Sequence, residues 1–573
     1  MERRTVVQGM AGAAALLSGG SRLFAAAPVP PKAWDALRAE VGDRLIRVRS
    51  PLAEVAKAGG AGADDLFARI QNPYYLGDEP GLTQTLGWVD AWTSQPSDFA
   101  VVAESAADVA AAINFARRHG VRLVVKGGGH SYFGNSNAAH SLLIWTRRMR
   151  QVEMHDAFVP QGSTAAGLPA VSIGAGAIWG QVYDAVAVKG GRYVQGGGCL
   201  TVGVAGFVQG GGFGSLSKRF GTGASNLLEA EVVTADGRVR IVNRDQDPEL
   251  FFALRGGGGG GFGVVTRLTL RTDELPPTIG AVLFKVKARS DAAWRALVGR
   301  TVEFYATALF NPAWGEQLRF QDRELTVSMM FQGLTDKEAR AVWQPFLDWV
   351  GERKSDLELG GEPVILVVPA RQFWSPEFLR SLPGIVLPDG RAGAPASNIF
   401  WAGNKDEAGQ VLHAYQSAWL PQRLLKPAAW PALTDALVAA AAEWTITLHA
   451  NKGLAGGDPS AIARTLETAT NPEVVDAFAL IICAAEGPPA WPGIPGHEPD
   501  VARGRSHAAG VTAAMAPIRQ LVPGAGTYMS EADYFQKDWK QAYWGEHYSR
   551  LSRAKRAYDP GGMFRTHHGV ERS

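Results

Sequence analysis

The most constraining feature of this sequence is where its glycines stand. Gly makes up 68 of the 573 residues, about 12% where ~7% is usual. The glycines are clustered, and the first cluster directly follows a valine-rich stretch that predicts a strand over residues 121–125. The clusters are Gly127–Gly129, Gly196–Gly198, Gly210–Gly214 and Gly256–Gly261. Because a main chain without side chains lets its N–H groups approach an anion, this order of strand, helix, strand and glycine loop predicts a phosphate-handling layout.

Charge and cysteine content exclude several classes of function. The chain has 57 Lys and Arg against 55 Asp and Glu, a formal net charge of +2, so no basic field favours nucleic acid as a partner. Two cysteines exclude a disulfide-rich scaffold and a cysteine-based zinc site. No stretch after the N-terminal segment reaches ~18 uninterrupted apolar residues, so no membrane span is expected in the mature protein.

The N-terminal 27 residues have the layout of a removable export signal. Arg3 and Arg4 precede a weakly apolar middle at residues 10–17, and small residues at 25–27 end the segment before Pro28. The paired arginines suggest the twin-arginine variety, which exports folded proteins. The alternative is a basic, frayed N-terminus. The first interpretation predicts a periplasmic or secreted enzyme that acquires its cofactor before export.

The hydrophobic pattern divides the rest of the chain into three units. Ser105 and Asp108 predict a capped helix that ends at Gly120, and Asp236-Gly237 predicts a hairpin turn. From about residue 275 glycine thins out and amphipathic helices alternate with strands. The predicted units are a first domain at 28–275 with a core at about 95–275, a second domain at 276–520, and a C-terminal segment at 521–573. Trp-rich loops in the second domain either stack on a substrate ring or belong to the core; they hold Trp374, Trp401, Trp419, Trp430 and Trp444.

Familiar nucleotide and metal motifs are absent or fail in context. The pattern G-x-G-x-x-G occurs at Gly258, Gly260 and Gly263, but a predicted strand follows it where a dinucleotide-binding fold needs a helix. No P-loop and no H-E-x-x-H sequence exists. His567 and His568 lack nearby carboxylate partners, so we expect a packed or solvated chain end and no metal site.

Five motifs taken together resemble one family, the berberine bridge enzyme-like FAD-linked oxidoreductases of the vanillyl-alcohol oxidase superfamily. They are [RK]-x-G-G-H-S at Lys126–Ser131, G-x-C-x-T-V-G at Gly197–Gly203, G-G-G-x-G at Gly210–Gly214, R-G-G-G-G-x-F-G-V-V-T at Arg255–Thr266, and Y-W-G-x-x-Y-x-R-L at Tyr543–Leu551, followed by Y-D-P and F-R. The resemblance implies an α+β fold of two lobes. One is a PCMH-type FAD-binding domain, the other an α+β substrate domain with an antiparallel sheet, and the C-terminal segment returns to the FAD domain.

The resemblance also implies FAD held by two covalent bonds. His130 would bond the 8α carbon of the flavin and Cys199 its C6 carbon, and both residue types are able nucleophiles. The alternatives are a loop histidine satisfied by hydrogen bonds and a small buried thiol, as we expect for Cys483. The remaining residues predicted to bind the cofactor, most of them along its pyrophosphate, are Lys126, Gly127, Gly128, Gly129, Ser131, Thr201, Val202, Gly203, Gly210, Gly211 and Val264.

Val202 bears on what accepts the electrons. It stands three residues after Cys199, where a small residue in this family is compatible with dioxygen reaching the flavin. Val202 therefore favours an oxidase over a dehydrogenase. The alternative is a valine that only packs.

The catalytic groups are the part of the family pattern from which this chain departs. Where the family often has Y-x-N-[YH], this chain has Tyr528, then Ser530 and Glu531. Glu531 could remove the substrate's hydroxyl proton, or it could form an ion pair or cap a turn. Tyr528 and Tyr132 could hydrogen-bond the substrate oxygen or act as base when ionised. His449, at the end of a predicted strand, could face the flavin or be structural.

These expectations describe an exported FAD-dependent oxidase. It would take a hydride from a small-molecule alcohol, such as a sugar, a phenolic alcohol or another secondary-metabolite alcohol, to flavin N5 and pass the electrons to O2, giving H2O2. Two alternatives stay open: a flavin-dependent dehydrogenase with another acceptor, and a catalytically silent flavin-carrying binding protein.

Overall fold

The computed structural model describes residues 30–572, so the predicted export signal at 1–27 lies outside the described residues. The strands are β1 (Leu45–Arg47), β2 (Thr85–Trp88), β3 (Trp92–Thr93), β4 (Phe99–Val102), β5 (Arg122–Lys126), β6 (Ser141–Trp145), β7 (Val152–Phe158), β8 (Leu168–Gly174), β9 (Arg192–Tyr193), β10 (Leu227–Val233), β11 (Val239–Asn243), β12 (Val264–Arg271), β13 (Asp273–Glu274), β14 (Thr278–Ala288), β15 (Trp314–Gln321), β16 (Glu324–Gln332), β17 (Leu357–Leu359), β18 (Val364–Pro369), β19 (Val386–Pro388), β20 (Ile399–Trp401), β21 (Gln410–Pro421), β22 (Ile446–His449) and β23 (Ala477–Gly487).

Helices connect and cover these strands. They are α1 (Pro31–Val41), α2 (Pro51–Lys57), α3 (Ala63–Ile70), α4 (Pro73–Asp78), α5 (Ala106–His119), α6 (Trp179–Tyr183), α7 (Val204–Gln209), α8 (Ser217–Phe220), α9 (Pro248–Leu254), α10 (Asp291–Phe304), α11 (Asp336–Gly351), α12 (Ala370–Phe373), α13 (Pro376–Ser381), α14 (Asn404–Glu407), α15 (Trp430–Glu443), α16 (Pro459–Leu466), α17 (Val501–Leu521), α18 (Trp539–Trp544) and α19 (Tyr548–Tyr558).

Besides the two-stranded pairing of β9 with β13, the first lobe contains two main sheets. The smaller has the order β1-β4-β6-β5, with β4 and β5 parallel to β6, and the larger has the antiparallel order β11-β10-β12-β8-β7. Helix α5 packs on the smaller sheet and begins with the predicted capping box, because the Ser105 side chain accepts from the Asp108 amide and Asp108 accepts in return. The hairpin at Asp236-Gly237 is confirmed by the antiparallel pairing of β10 with β11.

The second lobe is built on one large sheet. Its order is β17-β14-β16-β15-β22-β23-β21-β2-β3, with β18 also beside β14, and all pairs are antiparallel except β2 with β21. Helices α10, α11, α15 and α17 cover one face, and their apolar side chains form a core with the strands. The predicted α+β class with an antiparallel sheet in the second lobe is confirmed.

Two features of this sheet differ from the sequence expectations. Strands β2 and β3 belong to it although they lie inside the predicted first domain, because β2 pairs with β21 more than 300 residues away. The prediction of Trp-rich loops is wrong for Trp419, which is 1% exposed within β21. It is also wrong for Trp401, in β20, and for Trp430, the first residue of α15. Trp419 fills the interior, as core packing requires, whereas Trp401 and Trp430 are only partly buried.

The C-terminal segment packs on the first lobe beside the six-glycine run. Trp544 Nε1 donates to the carbonyl of Gly256 at 3.0 Å. The Lys555 ammonium, in α19, donates to the carbonyls of Gly261 and Phe564 and pairs with Asp559. The returning segment therefore closes the loop that the glycine run forms. The exact boundaries of the three predicted units stay predictions.

Lys218, in the short helix α8, connects the two lobes. Its side chain is 1% exposed. The ammonium donates to the carbonyls of Gly453 and Ala455 at 2.7 Å and of Phe478 at 3.1 Å, all in the second lobe. Three acceptors match the three N–H groups of an ammonium. Lys218 therefore fixes a first-lobe loop against the second-lobe sheet.

We expect Lys218→Met to lower the free energy of unfolding by about 1–3 kcal/mol, because it leaves buried carbonyls without donors. Thermal unfolding of the purified protein measures the change. Lys189→Met is the matched control, since the Lys189 side chain is 73% exposed and pairs with Asp184. Equal melting temperatures for the two variants would contradict the role given to Lys218.

Candidate functional site

Two glycine loops of the first lobe touch main chain to main chain. One is the Gly127–Ser131 loop after β5, and the other is the Thr201–Gly203 loop before α7. A Cβ atom on Gly128 would lie 2.5 Å from the nitrogen of Gly203, and one on Gly203 would lie 2.6 Å from the nitrogen of Gly128. Contact this close excludes any side chain, so both positions require glycine.

The first loop offers free amides to an anion. None of the N–H groups of Gly128, Gly129, His130 and Ser131 donates to a main-chain acceptor within residues 30–572. Gly129 has a φ of +77°, the left-handed conformation that glycine adopts without strain. Amides left unpaired on a curved loop suit phosphate oxygens. The loop therefore fits the pyrophosphate of FAD, as the sequence predicts.

Lys126 is the last residue of β5, and its ammonium is directed at main-chain carbonyls instead of this anion site. Its ammonium donates to the carbonyls of Glu79, Pro80 and Leu82 at 3.1, 2.8 and 2.9 Å. Its side chain is 1% exposed. Because three carbonyls occupy the three N–H groups, Lys126 anchors the start of the glycine loop and does not bind phosphate directly. This corrects the expectation of a direct contact.

The two predicted flavin attachment residues, His130 and Cys199, meet at one hydroxyl group. Thr201 Oγ1 lies 3.4 Å from His130 Nε2 and 3.5 Å from Cys199 Sγ. Burial lowers the pKa of His130 to about 4, so its imidazole is neutral at physiological pH. Burial raises the pKa of Cys199, while hydrogen bonds from the hydroxyl and amide of Thr201 and the amide of Val202 oppose that rise.

The second lobe covers the Cys199 loop. Asn404 Oδ1, in α14, accepts from the Cys199 thiol at 3.5 Å. Trp401 Nε1 donates to the carbonyl of Gly198 at 2.6 Å. The loop that would hold the flavin ring is thus closed on one side by the substrate lobe. Cys483, by contrast, is fully buried in the core of β23, as expected of an inert thiol.

Glu531 forms an ion pair with Lys452, a residue for which the sequence indicated no role. The Lys452 ammonium donates to Glu531 Oε2, and both side chains are largely buried, at 10% and 21% exposure. Glu316 in β15 lies close to this pair, and burial raises its pKa while the charge of Lys452 opposes the rise. Ser215 donates to Glu316 at 2.5 Å. The structure therefore surrounds Glu531 with a buried polar cluster.

Tyr132 faces this cluster together with Tyr415 of β21. The two rings lie 5.2 Å apart between centroids. Burial, together with the nearby charges of Glu531 and Glu407, raises the pKa of both phenols well above the ordinary value. Both phenols therefore stay protonated. They can donate a hydrogen bond to a substrate oxygen, and the raised pKa disfavours the suggested role of Tyr132 as an ionised base.

Tyr528 is buried beside this cluster, close enough to Glu531 for that charge to act on its phenol. It packs edge-on against Phe213, 4.9 Å between ring centroids, and is 7% exposed. Burial raises its pKa, while the Gly212 amide and the Ser530 hydroxyl hydrogen-bond to its oxygen. The raised pKa disfavours a base role for Tyr528 as well. Gly210 and Gly211 adjoin the same segment, since their Cβ positions would contact Ser530 and Tyr528. Their predicted contact with the cofactor stays a prediction.

His449 ends β22, opposite Gln317 of β15. Its Nδ1 is buried and has no hydrogen-bond partner within residues 30–572. Burial, and then the charge of Lys452, lowers its pKa well below the ordinary value. His449 is therefore a neutral imidazole near the Lys452–Glu531 pair, and its predicted catalytic role stays a prediction.

Two valines complete the predicted set. Val264, at the start of β12, is fully buried in the core between α5 and the first-lobe sheets, so its side chain is not available to a cofactor. Val202 is half-buried, and its carbonyl accepts from the Trp179 amide at 3.1 Å. Its predicted effect on oxygen access stays a prediction.

The structure thus assembles one contiguous site from most of the predicted residues. The first lobe contributes the glycine loop, His130, Cys199 and Thr201. Tyr132 lies between these residues and Glu531, since the charges of both Cys199 and Glu531 act on its phenol. The second lobe adds residues that sequence reasoning missed: Lys452, Glu316, Tyr415 and Glu407. In the sequence, only His449 and the segment Trp401–Asn404 indicated that the second lobe contributes to the site. Within residues 30–572 there is no group of side chains suited to a metal ion and no helix long and apolar enough to cross a membrane.

Comparison with protein families finds two matches. Residues 97–243 match the FAD binding domain family, and residues 527–571 match the family described as berberine and berberine like. Among curated proteins, the FAD-linked oxidoreductase easE of Arthroderma otae is 46% identical over 199 residues, 34% of this chain and 32% of that protein. An uncharacterized FAD-linked oxidoreductase of Arthroderma benhamiae is 28% identical over 93% of this chain and 90% of its own.

Solved structures share the fold along nearly the whole chain. The VAO-type flavoprotein MtVAO615 of Myceliophthora thermophila C1 aligns with a TM-score of 0.75 at 24% identity, covering 95% of both chains. Glucooligosaccharide oxidase of Acremonium strictum aligns with a TM-score of 0.64 at 21% identity, covering 90% of this chain and 99% of that one. These similarities confirm the predicted two-lobed fold. The chain spans less than half the length of the first three curated relatives that it matches.

The buried histidines predict sensitivity to acid. His130 and His449 have pKa values below the ordinary 6.5 in the folded protein. Below pH 6.5 these two histidines therefore bind protons in the unfolded chain but stay neutral in the folded protein until the pH is lower. The stabilisation is full above pH 6.5 and is lost as the pH falls, by up to ~1.4 kcal/mol per pH unit for each proton. Chemical denaturation between pH 5 and 7.5 measures this slope.

We expect His449→Leu to reduce that slope, since leucine does not titrate. The control is His140→Asn, because the His140 side chain is 93% exposed and asparagine tolerates its positive φ. A slope unchanged in His449→Leu, or equally reduced in both variants, would contradict the neutral, buried state of His449.

Proposed function

Because this chain belongs to the berberine bridge enzyme-like FAD-linked oxidoreductases, we propose that it is an oxidase whose FAD is bonded to both His130 and Cys199. It takes a hydride from an alcohol-type substrate and passes the electrons to O2, giving H2O2. The observation that carries the proposal is the meeting of a neutral imidazole and a thiol at the Thr201 hydroxyl, beside a glycine loop with free amides.

Chemistry elsewhere in the family supports the double attachment. The Acremonium strictum glucooligosaccharide oxidase carries a 6-S-cysteinyl, 8α-N1-histidyl FAD. In this chain the hydrogen bond at Nε2 of His130 leaves the other ring nitrogen, Nδ1, free to form such a bond. Cys199 is the one cysteine near the site, since Cys483 is buried in the core of the second lobe.

Bound FAD would supply the hydride acceptor, and the residues around it would handle the proton. Glu531 accepts the proton of the substrate hydroxyl as the C–H bond breaks. The Lys452 ammonium beside it donates to Glu531 Oε2 and so fixes the position of this carboxylate. Protonated Tyr132 and Tyr415 donate hydrogen bonds to the substrate oxygen as negative charge develops on it.

The substrate that we propose is a sugar, a phenolic alcohol or another secondary-metabolite alcohol. Solved structures with this fold include a chitooligosaccharide oxidase and a glucooligosaccharide oxidase. Curated relatives are FAD-linked oxidoreductases such as easE and ZEB1. The largely buried Glu531–Lys452 ion pair and the phenols of Tyr132 and Tyr415 suit any substrate that presents a hydroxyl group next to a C–H bond.

The first alternative, a dehydrogenase, differs from the proposed oxidase in its electron acceptor, which would not be O2. Val202 places a small side chain beside the Cys199 loop, which supports access of dioxygen and hence an oxidase. The second alternative, a silent flavin carrier, has the altered Tyr528–Glu531 motif in its favour. A buried carboxylate paired with a lysine beside two phenols argues against a lost active site.

Export through the twin-arginine pathway is a further part of the proposal and rests on residues 1–27 alone. Its test is the N-terminal sequence of the protein recovered from the periplasm or medium, which should begin near Pro28. Recovery of the uncleaved chain in the cytoplasm would contradict export.

The proposed activity is tested by mixing the purified protein with a panel of oligosaccharides and phenolic alcohols without oxygen. A substrate should bleach the visible flavin absorbance, and admitting air should restore it with release of peroxide. Bleaching without rapid reoxidation in air would support a dehydrogenase. No bleaching by any alcohol would support the silent carrier.

Glu531→Gln should slow the reduction of the flavin by at least ~10²-fold, because the amide cannot accept the substrate proton. Rapid mixing without oxygen, with the best substrate of the panel, measures the rate. Glu358→Gln is the matched control, since the Glu358 side chain is 56% exposed and pairs with Arg289 at the surface. An unchanged rate in Glu531→Gln would move the proton acceptor elsewhere, with His449 the next candidate.

A further inference from the structure

Thr201 stands between the two side chains that would bind the flavin. Its hydroxyl oxygen lies 3.4 Å from His130 Nε2 and 3.5 Å from Cys199 Sγ. Thr201 is 4% exposed, and its carbonyl oxygen lies against Gly128, within 3.3 Å of where a Cβ atom there would stand. The side chain of Thr201 therefore faces both attachment residues, and its main chain packs against the glycine loop that carries His130.

A hydroxyl between two such groups can carry the hydrogen bonds in either direction, because it donates one proton and also accepts. In one direction His130 Nε2–H donates to Thr201 and the Thr201 O–H donates to the sulfur. The imidazole then keeps a lone pair on Nδ1, and the sulfur accepts a hydrogen bond that favours the loss of its proton. In the reverse direction Nδ1 carries the ring proton and the sulfur keeps its own, so neither atom is a nucleophile.

The main-chain groups of Thr201 and Val202 favour the first direction. The carbonyl of Thr201 raises the pKa of His130 against the effect of burial. A carbonyl can only accept, so it favours an N–H on the ring nitrogen that faces Thr201. The amides of Thr201 and Val202 lower the pKa of Cys199 against burial. Amides can only donate, so they favour loss of the thiol proton, although burial leaves the pKa of Cys199 raised.

We infer that Thr201 is the positioning residue for both flavin attachments: its hydroxyl passes a hydrogen bond from the His130 ring to the Cys199 sulfur and so prepares both atoms to bond the flavin. The inference rests on the double attachment proposed above. It adds to that proposal a residue that itself forms no bond to the flavin.

Each attachment balances with dioxygen as the oxidant. His130 Nδ1 forms an N–C bond to the 8α carbon as one C–H bond there breaks, and the imidazole gives up its Nε2 proton. Cys199 Sγ forms an S–C bond to C6 as the C6–H bond breaks, and the thiol gives up its proton. In each case two electrons and two protons pass to one O2, which leaves as H2O2.

The test compares Thr201→Val, which removes the hydroxyl at nearly constant volume, with Thr201→Ser, which keeps it. Intact mass and the flavin retained in an acid precipitate measure the covalent fraction, and the visible spectrum measures total bound FAD. We expect Thr201→Val to bind FAD with a covalent fraction at least 10-fold lower, and Thr201→Ser to restore it. The control is Thr272→Val, because the buried Thr272 hydroxyl has no partner within residues 30–572 and its loss should leave attachment complete.

Two results would overturn the inference: complete double attachment in Thr201→Val, or no rescue by Thr201→Ser. If Thr201→Val purifies without FAD, Thr201→Ala decides by the same measurements. A wild-type protein whose flavin is wholly released by acid would overturn both the inference and the double attachment. Peroxide release with substrate is measured separately, so the oxidase function could still stand in that case.

Discussion

The contact between Gly128 and Gly203 is the constraint on which the rest of the site depends. The main chains approach so closely that a Cβ atom on either residue would stand within 2.6 Å of the other's nitrogen. His130 follows Gly128 by two residues and Thr201 precedes Gly203 by two. The glycine contact therefore places a histidine from one loop against a threonine, and through it a cysteine, from the other. The same contact leaves the amides of the first loop turned toward a common space.

Buried ammonium groups hold the loops that make this contact possible. Lys126 gathers three carbonyls from residues 79–82, and Lys218 gathers three from the second lobe. The Lys555 ammonium donates to two carbonyls, one in the glycine run and one in the C-terminal turn. Each lysine satisfies main-chain oxygens that irregular loops would otherwise bury unpaired. Loops rich in glycine are flexible, and these cations supply the order that a preorganised site requires.

The sequence indicated the first-lobe half of the site well because its signals are local. A strand followed by Lys126–Ser131 and the loop around Cys199 are short motifs, and the capping box and hairpin depend on neighbouring residues. The second-lobe half depends on pairing between distant strands, β15 with β22 and β21 with β23, which no local pattern announces. Lys452, Glu316 and Tyr415 were therefore missed. The sequence also did not indicate which side chains are buried. Burial raises the pKa of Tyr132 and Tyr528, and the buried Lys126 ammonium donates to three main-chain carbonyls.

The most direct test of the account is the composition of the flavin-containing peptide from a tryptic digest of the purified protein. His130 lies in the peptide of residues 127–147 and Cys199 in that of residues 193–218. Because one flavin bonded to both residues joins the two peptides, the account predicts a single yellow species that contains both sequences and one flavin. A yellow species with only one of the sequences, or flavin released free of peptide, would contradict it.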